Sequence, residues 1–150
     1  MIEELAEPNV IDRIEQSMSG MVAREMPVTH RFTPGLYIRE IHIPAGTLLT
    51  SMEHKTEHPF VVSKGRIAVI SENEGRVIYE APHTGVTKPG TRRALYAETD
   101  TIWTTFHVTT KTEVEEIAAD ILEPHQNPLL GADHPALNQW RRELSTIAKS

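Results

Sequence analysis

The sequence predicts an all-β dominated domain, an antiparallel sandwich or barrel, with a helical extension at each end. Three observations carry this. Between about Arg31 and Thr109 the apolar residues recur in short segments with strand-like alternation. Turn residues separate those segments: Pro44-Ala45-Gly46, Ser63-Lys64-Gly65, Glu72-Asn73-Glu74-Gly75 and Pro89-Gly90. On either side the apolar spacing becomes helical. The expected division is residues 1–30 as an N-terminal helical extension, 31–110 as the barrel and 111–150 as C-terminal helices.

In chain order, Asn9 is placed to cap a short helix with Ile11, Ile14, Met18 and Met21 on one face and Gly20 near its end. The expected strands are Leu36 to Ile43, Thr47 to Thr50, His54 to Val62, Arg66 to Ile70, Arg76 to Glu80 and Thr101 to Val108. Thr112 and Glu115 have the spacing of a capping box, ahead of a helix carrying Val114, Ile117, Ala118 and Ile121. A turn-rich stretch from Glu123 to Pro135 leads to a last helix with Leu137, Trp140, Leu144 and Ile147.

The composition narrows the function classes. The chain has 150 residues, 39% apolar and 24% charged, enough for one globular domain with a single core. It has no cysteine, so a metal would have to sit on nitrogen and oxygen ligands. Its formal charge is −6, and its basic residues are scattered apart from Arg92-Arg93 and Arg141-Arg142, which argues against a nucleic-acid partner. No apolar run approaches the roughly 20 residues of a membrane span, and the N-terminal MIEELAEPNV is acidic rather than a basic signal region. A soluble cytoplasmic protein is the expectation.

The stretch from His54 to Gly65 is the most informative. As a regular strand it puts His54, Thr56, His58, Phe60 and Val62 on one face, so that two imidazoles enter one cavity. The same letters spell H-x-x-E-H, a helical zinc-protease pattern. Pro59, two valines and Gly65 follow at once, and no amphipathic repeat flanks the stretch, so the strand reading is preferred. On that strand Glu53 and Glu57 fall on the opposite, solvated face. His42 alternates with Ile41 and Ile43 and is expected outside, while His83, His125 and His134 read as loop residues.

The Ile43-Pro44-Ala45-Gly46-Thr47 turn, the His54 to Gly65 block and the segment Gly85-Val86-Thr87-Lys88-Pro89-Gly90-Thr91-Arg92-Arg93 together resemble the cupin superfamily of small jelly-roll barrels. The resemblance covers roughly Tyr37 to Val108. It implies a cupin-like jelly roll, the double-stranded β-helix, around a small-molecule ligand. The family's first motif, H-x-H, three or four residues, E, six residues, G, places its ligands at Met52, His54 and His58. The second places a histidine at Arg93. Only His54 keeps its family residue, and His58 stands as a substitute ligand. The ending Asp100 to Thr109 is most similar to short cupin-type proteins of tailed bacteriophages, which would put the protein in the host cytoplasm.

Metal chemistry needs at least three convergent ligands, and His107, on one strand face with Thr101, Trp103 and Thr105, is the third candidate. The resemblance thus implies a divalent transition metal (Fe, Mn, Ni or Zn) on His54, His58 and His107, with a hydrogen-bonded core histidine as the alternative for His107. Arg93 has no lone pair for a metal and would bind an anion, or else pair with an internal acid such as Glu40 or Glu57. His58, Arg93 and Tyr96 are the candidate catalytic residues, Tyr96 being equally readable as packing. Three functions stay open: a metal-dependent enzyme on a small polar or anionic substrate, a metal-free isomerase or epimerase using His58 as acid–base, and a non-catalytic phage-type binding or assembly protein. Apolar stripes on both helical extensions lead us to expect a homodimer.

Overall fold

A computed structural model describes residues 9–123 and Leu129. Eleven strands and two helices are present among them. Helix α1 (Val10–Met18) precedes β1 (Val28–Thr33), β2 (Leu36–Ile43), β3 (Leu48–Thr50), β4 (Glu53–His54), β5 (His58–Lys64), β6 (Arg66–Ser71), β7 (Gly75–Glu80), β8 (His83–Thr87), β9 (Arg93–Ala97) and β10 (Thr101–Val108). Helix α2 (Val114–Ile121) and β11 (Leu122–Glu123) follow. One sheet has the order β1-β2-β10-β5-β8, the other β3-β9-β6-β7, and β11 pairs with β4 in a separate ribbon. All pairings are antiparallel, and the crossed strand order is that of a jelly roll.

Alternation decides the lining. Along β10, Thr101, Trp103, Thr105 and His107 are buried while their neighbours are not, and on β2 Ile41 and Ile43 turn inward. Of these, Ile41, Ile43 and Trp103 meet Phe60, Val62, Ile67, Val69, Leu95 and Ala97 from both sheets as one core. Two glycines are obligatory here. Gly65, at φ +91°, turns β5 into β6 where a Cβ would lie 2.3 Å from the Asp100 carbonyl oxygen. Gly85 lets the Phe60 ring lie across β8, since a Cβ there would come within 2.6 Å of it.

The strand expected from His54 to Val62 is interrupted. The chain bends at Lys55 and Thr56, so His54 lies on β4 and His58 opens β5. Their convergence therefore owes nothing to alternation along one strand. Four strands were not expected from the sequence: β1, β8, which includes the supposed loop residue His83, β9 and β11.

Helix α1 begins with a capping box between Asn9 and Asp12. The face it buries only partly matches the predicted apolar one: Ile11 is buried, but so are Asp12 and Glu15, while Ile14 and Met18 are half-buried and Met21 lies beyond the helix and is exposed. Helix α2 has no capping box. Its N-cap is Glu113, and no side chain caps it. It buries Val114, Ile117 and Ile121 against Tyr37, Met52 and Leu122. Among the described residues no helix is long and apolar enough to cross a membrane. The helix expected around Leu137, Trp140, Leu144 and Ile147, and the loop histidines His125 and His134, lie outside the described residues.

Candidate functional site

Between the two sheets lies a cavity enclosing about 80 Å³ of space for water-sized occupants. Ile41, Ile43, Leu49, Leu95 and Trp103 give it apolar walls. Its titratable groups fall into a histidine corner with His54, His58 and His107 and an arginine corner with Arg93, with Arg39 and the hydroxyl residues Thr50, Ser51, Thr91 and Thr105 lining it as well. No carboxylate is among its described lining residues.

The three imidazoles arrive from three strands. β4 supplies His54, held in place by pairing with Leu122 of β11 and by the Gly90 amide, which donates to the His54 carbonyl at 2.8 Å. β5 supplies His58 and β10, its neighbour in the five-stranded sheet, supplies His107. Ring centroids are 4.6 Å apart for His54 and His58, 4.5 Å for His58 and His107, and 5.9 Å for His54 and His107.

Burial keeps these rings neutral. It lowers His54 well below the ordinary histidine range, helped by the neighbouring imidazoles and by Arg39 and Arg93. It lowers His107 to about 3, with His58 and Arg39 acting in the same direction. His58 is also lowered, chiefly by burial; the Thr56 carbonyl opposes this and Arg93 adds to it. In neutral His58 the Nδ1–H donates to the Thr56 carbonyl at 3.2 Å, which leaves Nε2 with its lone pair. His107 Nε2 bonds the Thr105 hydroxyl at 2.9 Å, while its Nδ1 is buried without a partner.

The three imidazoles lie side by side, one oriented by a backbone carbonyl and one with a buried nitrogen that has no partner. Among the described residues, no group of three or more His, Asp or Glu is arranged to hold a metal ion.

Arg93 is 6% exposed and points inward, like Leu95 and Ala97 on the same face of β9. Its Nη1 donates to the Thr87 hydroxyl at 2.6 Å, its guanidinium carbon lies 5.1 Å from the Phe60 ring centroid and 5.9 Å from that of Trp103, and Nε has no partner. Its pairing with Glu40 or Glu57, considered from the sequence, does not occur. Glu40 bonds His42 and Arg31 on the outside, and Glu57 pairs with Lys88. Burial lowers the Arg93 pKa, opposed by Tyr79 and Glu74.

One sequence reading needs correction. Tyr96 does not reach the cavity, because it alternates with Arg93, Leu95 and Ala97 along β9 and is 46% exposed on the outer face. Met52, at the position of the first family ligand, lines the cavity and packs in the α2 cluster. Sequence reasoning also missed Arg39, whose position next to Ile38 and Glu40 on a half-buried strand carries no special signal.

No protein-family model matches the chain, and no curated protein does. Solved structures match by fold. Salicylate 1,2-dioxygenase from Pseudaminobacter salicylatoxidans superposes with a TM-score of 0.54 and 17% identity, covering 74% of this chain and 34% of that one. A protein from Neisseria meningitidis gives 0.50 at 7% identity, covering 63% of this chain and 96% of that one. A cupin-2 domain containing protein from Shewanella frigidimarina gives 0.47 at 8%, with 62% and 90% covered. At these identities the likeness is one of fold, an antiparallel double-sheeted barrel of the kind that the cupin resemblance predicts.

Proposed function

We propose that this protein is a small-molecule enzyme whose barrel seats an anionic substrate between Arg93 and the three histidines, with a divalent transition metal on His54, His58 and His107. The observation that carries the reading is a buried guanidinium that forms no ion pair among the described residues, in the same cavity as a cluster of neutral imidazoles. The buried Arg93 guanidinium and the absence of a carboxylate among the described lining residues favour an anion over a cationic or neutral guest. A metal bound there would supply Lewis acidity or a site for oxygen.

The chain's own residues would divide the work. Arg93, braced by Thr87 and the Phe60 and Trp103 rings, anchors a carboxylate without having to be ordered on binding. Ile41, Leu95 and Trp103 pack the substrate's apolar part and exclude water. His58 presents Nε2, since its other nitrogen is committed to the Thr56 carbonyl. The salicylate named for the dioxygenase neighbour is itself a carboxylate, the group that Arg93 would pair with. A cytoplasmic homodimer remains the expected assembly, and light scattering at micromolar concentration tests it against a 16.9 kDa monomer.

Elemental analysis of the purified protein, joined to calorimetric titration with salicylate, benzoate, acetate and phosphate, tests the proposal. One equivalent of a transition metal, lost in His107→Ala while the barrel stays folded, is expected. So is carboxylate binding that Arg93→Met weakens. A folded, metal-free protein that still binds carboxylates would replace the metal reading with acid–base chemistry by His58. Absence of both metal and carboxylate binding would overturn the enzyme reading.

A further inference from the structure

We infer that helix α1 is a positioning element of the cavity: its buried carboxylates, through Arg92 and Thr50, hold the arginine corner at the angle needed to receive an anion. This rests on the reading of Arg93 as the anion-binding group.

Arg92 immediately precedes β9 and Arg93 opens it, and the two consecutive side chains take different directions. Arg93 enters the cavity, while Arg92 faces α1, where Nη1 donates to Asp12 Oδ1 at 2.7 Å and Nη2 donates to Glu15. The remaining carboxylate oxygens are also engaged. Asp12 Oδ2 accepts the Asn9 amide at 3.0 Å, and Glu15 Oε2 accepts the Thr50 hydroxyl at 2.6 Å. All four side chains in this network are buried.

The network's outer ends belong to the cavity wall. Thr50 lines it, as do Thr91 and Arg93 on either side of Arg92. Thr50 pairs with Ala94 across β3 and β9, and the Arg93 amide donates to Ser51 Oγ at 2.9 Å. One helix thus fixes two strands at the point where the guanidinium leaves the backbone. Hydrocarbon of similar volume often stabilises a fold as well as a buried ion cluster does, whereas directed hydrogen bonds are satisfied in only one arrangement. Position is therefore what this cluster adds.

Glu15→Gln and Thr50→Val are the test variants, with Ile11→Val as a control on the same helix. Benzoate affinity and the Arg93 Nε–H resonance are measured at a temperature where circular dichroism shows each protein fully folded. Glu15→Gln and Thr50→Val are expected to weaken benzoate binding about five- to ten-fold and to shift the Arg93 resonance. Ile11→Val should lower the melting temperature and change neither. If Glu15→Gln fails to fold, Thr50→Val decides, because it leaves both carboxylates on Arg92. Wild-type affinity and an unmoved Arg93 resonance in Thr50→Val would overturn the inference. Unchanged benzoate affinity in Arg93→Met, or no binding by the wild type, would instead overturn the reading beneath it, and the resonance would still report on positioning.

Discussion

Each polar corner of the cavity is backed by its own helix, and the two helices dock by different chemistry. At the arginine corner α1 presents Asp12 and Glu15 to Arg92, one residue from Arg93. At the histidine corner α2 presents Val114, Ile117 and Ile121 to Tyr37 and Met52, and its continuation as β11 pairs with the strand carrying His54. Ion pairs and hydrogen bonds need one geometry, while an apolar contact can repack after a small shift. The arginine corner should therefore lose stability steeply when cut, and the histidine corner should yield more gradually.

The largest effect is expected for Arg92→Met. It leaves Asp12 and Glu15 buried without their cation, and removing one partner from a buried cluster costs about 3–5 kcal/mol. Ile117→Ala, at the fully buried centre of the α2 contact, should cost about 2–4 kcal/mol, with the rest of the cluster partly collapsing into the space. Urea denaturation of both variants measures the difference. A larger loss in Ile117→Ala than in Arg92→Met would break the contrast.

That contrast also separates what the sequence disclosed from what it did not. Strands Leu36 to Ile43 and Thr101 to Val108 were legible to the residue, because a half-buried strand writes its alternation into the chain. The arginine corner's support was not. Apolar periodicity assigned α1 the face of Ile11, Ile14, Met18 and Met21; Ile11 is buried, but beside it the docking face holds two acids whose partner lies 77 and 80 residues away. Nothing local marks a carboxylate as buried until its cation is located. His54 and His58 were assigned to one cavity from a continuous strand, yet they reach it from two strands. The bend at Lys55 depends on Ile121, whose carbonyl accepts the Lys55 amide at 2.7 Å, and no short window contains both. His107 was legible because its strand is regular. Tyr96 was misjudged because β9, with its Arg-Ala-Leu-Tyr-Ala sequence, shows too weak an alternation to reveal which side faces in.

Acid should act on the histidine corner before the arginine corner. In the metal-free folded protein burial holds His54, His58 and His107 below their ordinary range, His107 at about 3, while in the unfolded chain they protonate near 6.5. The unfolded state then binds more protons, so unfolding free energy falls as pH drops below about 6.5, continuing toward about 3 for His107. Each histidine contributes at most about 1.4 kcal/mol per pH unit. Between pH 7 and 5, where carboxylates stay charged, denaturation midpoints should decline, and His107→Gln should flatten the slope. A flat profile in the metal-free wild type would show that these rings are not buried neutral in solution.

The smallest effect is the coupling between the two corners. Arg93 lowers the His58 pKa, but burial is the larger cause, and Arg93 is the last of the five causes acting on His54. In metal-free Arg93→Met the His58 pKa should therefore rise only part of the way toward its ordinary value, and that of His54 by less, because methionine removes the charge while keeping much of the apolar stem. Two-dimensional NMR titration of the imidazole nitrogens resolves shifts of that size. A carboxylate bound at Arg93 should move His58 in the same upward direction in the wild type, since it neutralises the same guanidinium, and should have no such effect in the variant. If the carboxylate shifts His58 equally in both proteins, the anion sits on the histidine side of the cavity. The two corners would then be independent, with Arg93 acting only on its aromatic neighbours.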